Sequence, residues 1–386
     1  MATIEDGQKQ IPFLRGMLTH YLLEHGFSFQ EAYQVADRIR SATQGRKKIS
    51  AERMLELLHM HVQELFGDRS IGDGIFWAPG ARQIFVEDEG GSRPFSREHL
   101  ANSLTILGVD EDEAYRAAER IGAEFIQKGR SVVRPEDIRQ TVLTLLREDY
   151  GDAFSERYLA WHDFRANEQP LPLVVLIGGA SGVGKTTAAV ALANLLNISR
   201  MTSTDEIRQV MRLMIAQDLM PAVHASSYEA WENVTVPLLS NVDPVIYAFR
   251  EQATRINVGV RAVVERTIAE NVDLVVDGVH LLPDLCNLVG FEKRAIIVRA
   301  NLYLSDPQAY AERFKTRGKR ARRPPHRYLA HLDEIIRIQE HILDVGEAFQ
   351  VPAYENTDLD ESVQSLSLQI LDRLRKRANG SKKNAK

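Results

Sequence analysis

The sequence predicts an α/β protein: a parallel five-stranded sheet wrapped by helices at about residues 168–378, preceded by two mainly helical modules. Three observations predict it. A phosphate-binding loop pattern stands at 179–186, between an apolar strand-like run and a helical run. Further short apolar runs alternate with helical periodicity towards the end of the chain, the grammar of strand–helix–strand units. The first 150 or so residues contain two copies of one segment.

Composition bounds the class. The chain has 386 residues, 44% apolar and 26% charged, enough for more than one globular core. Lys and Arg number 48 against 53 Asp and Glu, a net −5, which excludes a globally basic nucleic-acid coat. The single cysteine, Cys286, excludes a disulfide framework and a cysteine-based zinc site. The opening MATIEDGQKQ has no apolar signal core, and no run approaches 18 apolar residues. The expectation is a cytoplasmic protein without a membrane partner; a homo-oligomer stays open. Positive charge is focused in two places. Residues 312–327 carry eight Lys or Arg against one acid, and residues 373–386 carry seven against none. The end, NGSKKNAK, lacks apolar side chains, so 379–386 is expected to be a disordered, solubilising tail.

The repeat opens the chain. Residues 12–40 and 94–122 match at an offset of 82: Pro-Phe, an Arg, two Leu, a Gly, Glu-Ala-Tyr, an Ala and Arg-Ile. A second match, Glu64–Asp68 with Glu148–Asp152, comes at an offset of 84. Each copy begins with a hairpin-like segment, around Asp6-Gly7 and Gly90-Gly91. Three helical stretches follow. Leu18, Leu22 and Leu23 mark the first, and Ala32, Tyr33, Ala36 and Ile39 the second. Met54, Leu57, Leu58 and Val62 mark the third, matched by Ile138, Val142, Leu145 and Leu146. The expected modules are 1–68 and 84–152. A Gly-rich linker at 69–83 separates them, and a connecting helix at 153–167 follows. Nothing in either copy has catalytic spacing. A hairpin, then Pro-Phe-x-Arg, then helices resembles the ATP-cone, a regulatory nucleotide-binding domain. The second copy is the closer match through Arg93–Arg97; the first has Leu14-Arg15-Gly16 where the second has Ser96-Arg97-Glu98. The resemblance implies a regulatory nucleotide at the repeats, with the first copy degenerate.

The chemistry begins with the first strand, Leu173–Gly178. The loop Gly179, Ala180, Ser181, Gly182, Val183, Gly184, Lys185, Thr186 follows, then Thr187 and a helix. Glycines let backbone N–H groups converge on phosphate oxygens, and the helix presents its positive end. Lys185 is expected on the β- and γ-phosphates of ATP, and Thr186 on Mg²⁺. A short second strand, MTST, turns into a helix at Asp205. An acid there can orient an acceptor hydroxyl, accept its proton or hold Mg²⁺ through water. Arg208, one turn on, faces the same side for an anionic acceptor. Ser203 with Glu206 also makes a capping box, so the segment has a purely local reading as well.

Residues 224–231, HASSYEAW, are polar, small and aromatic. His224, Ser226, Ser227 and Tyr228 are candidates to hydrogen-bond the acceptor; the alternative is a surface loop capping a helix at Glu229. A third strand ends in Asp277-Gly278, the Walker B arrangement, which acts on the metal. His280, just beyond, reads as a strand-end residue meeting solvent. Two more strands are expected at Ala295–Val298 and Val351–Thr357. Between them the Arg-dense run suits a lid over transferring phosphate, with Arg313, Arg317, Arg323 and Arg327 as its candidates. The predicted sheet order is 2-3-1-4-5, with ligands at the carboxyl ends of the strands.

The segments IGGASGVGKTT, STDEIRQVMR, HASSYEAW, DPVIYAFREQ, DGVHLLP, ERF, RYLAHLDEIIRIQ and ENTD together resemble the 2-phosphoglycerate kinase family, over about residues 84–375. The resemblance implies a P-loop kinase with an ATP-cone-like domain ahead of it. It implies transfer of the γ-phosphoryl group of ATP to the 3-hydroxyl of 2-phosphoglycerate. It implies Asp205 and Arg208 on the acceptor side and the Asn356–Thr357 loop near adenine. Three departures stand out: an additional N-terminal copy, Asp277-Gly278 in place of Glu-Gly, and a shorter lid denser in arginine. Two other readings remain, a kinase of another anionic acceptor (a sugar acid or inositol phosphate) and a non-catalytic ATP-sensing regulator.

Overall fold

The computed structural model describes residues 3–384 except 7–8, 14, 44–46, 68–70, 72–83, 89–90, 131, 167–169, 235–236, 238 and 321–324. The side chains of 6, 9–12, 20, 24, 316–320, 325 and 378–384 also fall outside the description. The expected linker at 69–83, apart from buried Ile71, and Arg323 therefore lie outside the described residues. The chain divides into two compact units, Met1–Tyr158 and Leu159–Lys386.

The first unit repeats one topology. Strands β1 (Thr3–Asp6) and β2 (Lys9–Pro12) form a hairpin; α1 (Arg15–Glu24), α2 (Phe29–Thr43), β3 (Lys48–Ser50) and α3 (Ala51–Phe66) follow. The second pass runs β4 (Phe85–Asp88), β5 (Gly91–Pro94), α4 (Arg97–Thr105), α5 (Glu111–Gln127), β6 (Val132–Val133) and α6 (Pro135–Asp149). Both hairpins begin and end 82 residues apart. The sheets have equivalent orders, β2-β1-β3 and β5-β4-β6, with an antiparallel hairpin and a parallel third strand. Strands β3 and β6 had no sequence signal, because each is two or three residues ahead of a helix. Their pairing is legible only through the buried side chains, Ile49 and Val133. The apolar positions read from the sequence are the core of the first copy: Leu18, Leu22, Ala32, Ala36, Ile39, Met54, Leu58 and Val62 are each at most 1% exposed. Helix α7 (Asp152–Ala166) carries the chain onward.

The second unit is a three-layer α/β domain. Its first part runs β7 (Leu173–Gly178), α8 (Lys185–Leu195), β8 (Arg200–Ser203), α9 (Thr204–Met214), α10 (Pro221–His224), α11 (Pro244–Ala269) and β9 (Leu274–Asp277). Then come β10 (Ile296–Tyr303), α12 (Pro307–Arg320), α13 (Pro325–Ala330), α14 (Leu332–Ala348), β11 (Ala353–Glu355) and α15 (Leu359–Asn384). The five strands are all parallel, in the order β11-β10-β7-β9-β8, which is 2-3-1-4-5 counted within the unit. Strands β7 and β9 are buried along their whole length, as a sheet covered on both faces requires. Val174, Leu176, Leu274 and Val276 pack on Ile256, Val260 and Val264 of α11.

Two boundaries differ from the sequence reading. Strand β10 runs on to Tyr303, because Arg299 and Asn301 interrupt the apolar run without interrupting the ladder. Helix α15 continues to Asn384, through the segment expected to be a disordered tail; beyond Arg373 its residues carry helix-favouring Arg and Lys, and one Gly is a tolerable cost of about 1 kcal/mol.

Candidate active site

Parallel pairing brings every strand's carboxyl end to one edge. The register sets Ile177 beside Asp277 and Asp277 beside Ser203, so the loop after β7, the end of β9 and the head of α9 are neighbours. The loop from Gly179 to Gly184 ends as the cap of α8, with Gly184 at φ 88°. Gly182 sits at φ +93°, and a Cβ there would fall 2.5 Å from the Phe314 ring. This position takes glycine both for its backbone and because α12 packs directly on the loop. Val183 is fully buried, and its carbonyl accepts from Asn356 Nδ2 at 2.6 Å and Arg313 Nη1 at 2.9 Å. Arg313 also donates to the Asn356 carbonyl. Arg313 and Asn356 thus brace the phosphate loop from its outer side. Ser181 is half-buried in the loop, while Thr187 is exposed in the first turn of α8 and Thr357 in the turn after β11.

Lys185 Nζ folds back on the Ala180 carbonyl at 2.6 Å. Thr186 Oγ1 donates to Asp277 Oδ2 at 2.7 Å. Burial pushes the Asp277 carboxyl above its ordinary range, against the Thr186 hydrogen bond and the Lys185 charge. Two oxygen donors at one point, one an acid that burial makes reluctant to ionise, are a fitting place for a hard divalent cation that keeps several waters. Among the described residues no cluster of three or more His, Cys, Asp or Glu could hold a metal by itself.

Asp205 lies in the first turn of α9, whose cap is the Ser203–Glu206 box read from the sequence. Its side chain is 63% exposed, at the carboxyl edge of the sheet. Packing opposes its ionisation, but His280, Arg208 and Lys185 together hold its pKa below the ordinary value. Arg208 is bound to Asp205 at 3.2 Å. Arg208 is nearly buried, and its Nη1 donates to the carbonyls of Val223 and Ala225.

The 224–231 segment is not a surface loop, and Glu229 stands at the cap position of a short helix without a side-chain cap bond. Ser227, Tyr228, Glu229 and Ala230 are all buried, and a short 3-10 turn, Ala230–Asn233, follows. His224 donates to the Ile215 carbonyl, and Ser226 hydrogen-bonds Tyr228 and Glu229. The Tyr228 ring contacts Tyr328 and His331, and Tyr328 stacks on Phe314 at 4.6 Å. Arg327 makes two 2.6 Å bonds to the Glu229 carboxylate. Of the arginines expected in a lid, Arg313 therefore reaches the phosphate loop and Arg327 the 224–231 segment. Arg317 lies on α12 with its side chain outside the description. A stack of aromatic rings joins the two attachments.

The largest departure is His280. Expected at the solvent, it is fully buried, between Thr204 Oγ1 and Gln252 Oε1, each at 2.8 Å. Gln252 carried no sequence signal of its own, because a polar residue inside an amphipathic pattern reads as its wet face, and Glu229 was read only as a helix cap.

The ATP cone domain family matches residues 86–167, the second repeat with helix α7. The chain is similar to the 2-phosphoglycerate kinase of Pyrococcus horikoshii, with 33% identity over 73% of this chain and 91% of that protein. The 2-phosphoglycerate kinase of Pyrococcus furiosus is 35% identical, over 75% of this chain and 93% of its own. That of Methanothermobacter thermautotrophicus is 35% identical, over 71% and 89%. Among solved structures, a gluconokinase from Sinorhizobium meliloti has 15% identity and a TM-score of 0.33, covering 55% of this chain and 98% of its own.

Proposed function

The chain belongs to the 2-phosphoglycerate kinase family, and on that premise we propose that it transfers the γ-phosphoryl group of ATP to the 3-hydroxyl of 2-phosphoglycerate, giving 2,3-bisphosphoglycerate. The observation that carries the reading is the meeting of Lys185, Thr186, Asp277 and Asp205 at one sheet edge.

In this mechanism the loop backbone from Gly179 to Gly184 cradles the phosphates. Lys185 leaves the Ala180 carbonyl for the β- and γ-phosphates. Asp205, kept ionised by Arg208, orients the acceptor hydroxyl and takes its proton as the oxygen attacks phosphorus. Arg208, with His224, Ser226, Ser227 and Tyr228, forms the acceptor side. Arg313, Arg317, Arg323 and Arg327 belong to a lid that excludes water and offsets phosphate charge. Asn356 and Thr357 line the adenine end. Thr186 and Asp277 would hold Mg²⁺, which when bound screens phosphate charge. The second repeat takes a regulatory nucleotide, the first being a degenerate copy, and the enzyme works in the cytoplasm.

The test is full-length protein with Mg-ATP and 2-phosphoglycerate, following ADP release and a new bisphosphate by ³¹P NMR. Parallel runs contain 3-phosphoglycerate, glycerate and inositol phosphates. Product with 2-phosphoglycerate is the expected result. Product only with another acceptor overturns the acceptor and keeps the phosphoryl transfer. That second reading draws on one observation, the eight Lys and Arg between 312 and 327, which would suit a more highly charged acceptor. ATP binding with no acceptor-dependent ADP would favour a sensing role.

A further inference from the structure

Behind the proposed acceptor side runs a buried chain of hydrogen bonds that the transfer itself does not use. Thr204 Oγ1 meets His280 Nδ1, and His280 Nε2 meets Gln252 Oε1, both at 2.8 Å. Gln252 Nε2 then donates to the carbonyls of Ala222 and Ala225. Thr204, Gln252 and His280 are each 0% exposed.

The direction of this chain is fixed by chemistry. A carbonyl only accepts, so the Gln252 amide nitrogen must face Ala222 and Ala225, and its oxygen must face the imidazole. Nε2 of His280 therefore carries a proton, and Nδ1 accepts from the Thr204 hydroxyl. Every donor points the same way, from the head of α9 to the 222–225 segment.

Neighbouring bonds tighten the arrangement. Arg208 Nη1 takes the Val223 and Ala225 carbonyls at 3.3 and 3.1 Å. Asn257 Nδ2 takes the His280 carbonyl at 2.7 Å. A Cβ on Gly278 would stand 1.9 Å from Thr204 Oγ1, so the end of β9 lies hard against the start of the chain. Three carbonyls of the 222–225 segment are thus held by two side chains. One of these, Arg208, also holds Asp205, and the other reaches through His280 to Thr204, the residue before Asp205.

We propose that His280 and Gln252 are positioning residues for the acceptor: they fix the distance and orientation between Asp205 and the 222–228 segment, and so the size of acceptor that fits between them. The inference rests on the reading above that these two elements flank the acceptor. Neither residue touches a reacting atom. A set of buried, oriented donors costs more to build than an apolar filling of the same shape, and what it adds is a single geometry.

Two measurements on the full-length protein test it. In the first, histidine ¹⁵N NMR reads the ring, with the His280 signals identified by their loss in His280→Asn. The expected result is a neutral ring protonated at Nε2 at pH 8 and still neutral at pH 5, where a free histidine of pKa about 6.5 is mostly charged. A proton on Nδ1, or a charged ring at pH 5, overturns the chain as drawn. This readout is independent of which acceptor the enzyme uses.

The second is steady-state kinetics of Gln252→Glu and Gln252→Met with Mg-ATP and 2-phosphoglycerate, beside calorimetric ATP binding. The glutamate still accepts from His280 but turns its other oxygen on the Ala222 and Ala225 carbonyls; the methionine keeps volume and drops every bond. KM for 2-phosphoglycerate should rise about tenfold, the equivalent of one lost net hydrogen bond. ATP affinity should stay within about twofold. Should the glutamate variant fail to fold, the methionine variant and His280→Asn carry the same split. Equal losses for both substrates, or an unchanged acceptor KM with a lower unfolding temperature, would mean a merely structural role and overturn the proposal. A wild type that releases no ADP with 2-phosphoglycerate but does so with another member of the acceptor panel would fail the acceptor reading alone; the same KM split is then read with that acceptor.

Discussion

Thr186 Oγ1 and Asp277 Oδ2 are 2.7 Å apart, so the first turn of α8 and the end of β9 share one hydrogen bond at the centre of the site. Burial raises the Asp277 pKa, and a cation at this point would reverse that by favouring the charged form. Asp277→Asn should therefore keep nucleotide binding in the absence of Mg²⁺ and lose the gain that Mg²⁺ brings. A turnover loss of about a hundredfold or more is expected, as for loss of a preorganised charge contact. Protons compete with the metal for a raised carboxyl, so the apparent Mg²⁺ affinity should fall as pH drops, starting above the ordinary carboxylate range. Mg²⁺ titrations of ATP turnover at two pH values check this; a variant with unchanged Mg²⁺ dependence would sink the assignment.

Asp205→Asn removes the proposed base without changing the shape of the α9 head. Turnover should fall about 10²- to 10⁴-fold, with ATP affinity unchanged. Its pKa is lowered, so the acid limb of the pH–rate profile due to this group should lie below the usual aspartate range. With Mg²⁺ kept saturating, so that Asp277 does not limit, activity should hold as pH falls to that range and drop through the depressed pKa. Full turnover by the variant would remove Asp205 from the mechanism.

Arg327 and Glu229 tie α13 to the 224–231 segment through a bidentate pair. Burial opposes ionisation of Glu229, but Arg327 outweighs it and lowers the pKa. The pair is therefore intact above the ordinary glutamate pKa and is lost as pH falls through the lowered value. Arg327 is 56% exposed, so Glu229→Gln should cost no more than about 1 kcal/mol of stability. The larger effect belongs on catalysis, because the Tyr228–Tyr328–Phe314 stack continues the tie to the phosphate loop. The acceptor KM should rise severalfold while the unfolding temperature barely moves; the reverse pattern would make the pair a fold contact only.

The phosphate loop, the α9 cap and the strand end at Asp277 were legible because each is specified within a dozen consecutive residues, and the strand order followed from the fold class that the loop implies. A glycine pattern between strand and helix, a Ser-x-x-Glu box and an acid ending an apolar run are local chemistry. The aromatic stack and the Thr204–His280–Gln252 chain were not legible, because their members are 14 to 100 residues apart in sequence and meet only when the chain folds. Nothing in the sequence around His280 distinguishes a solvent-facing ring from one sealed under α11. Strands β3 and β6 were missed for a different reason: at two or three residues they have no periodicity to read.

His280 also makes a stability prediction. Burial drives its pKa down to about 3, the charges of Arg208 and Lys185 adding to the effect and Asp205 opposing it. The unfolded chain takes up a proton near pH 6.5 and the folded chain does not, so stability should fall as pH drops from about 6.5 towards 3. His280→Asn removes this proton and should flatten the slope of unfolding free energy between pH 6.5 and 4.5, whatever its effect at pH 7. Denaturant unfolding across that interval measures both slopes; parallel slopes would mean that the ring charges within the fold.

In the first unit, Arg15 and Arg97 are equivalent at an offset of 82, and each pairs with the acid of its own second helix, Asp37 and Glu119. Among the described residues, Arg15 alone of the two also reaches the other copy, where it binds both oxygens of Glu98. The asymmetry comes from one position: residue 98 is Glu and its counterpart is Gly16. Phe29 adds a ring contact to Tyr115 and a backbone hydrogen bond to Asp112, so the two copies meet through the head of α2. Glu98 is 7% exposed, and removing it strands a half-buried guanidinium. Burial disfavours the Arg15 charge, and Glu98 more than restores it, with help from Tyr33. Glu98→Ala should therefore cost about 1–3 kcal/mol, less than a fully sealed pair because Arg15 retains Asp37. Arg15→Ala should cost a similar amount, and the double variant little more than either, giving a coupling of about 1 kcal/mol or more. Thermal unfolding of the full-length chain measures all three. Additive losses would show that the copies are held by Phe29 and the apolar contacts, with the ion pair incidental.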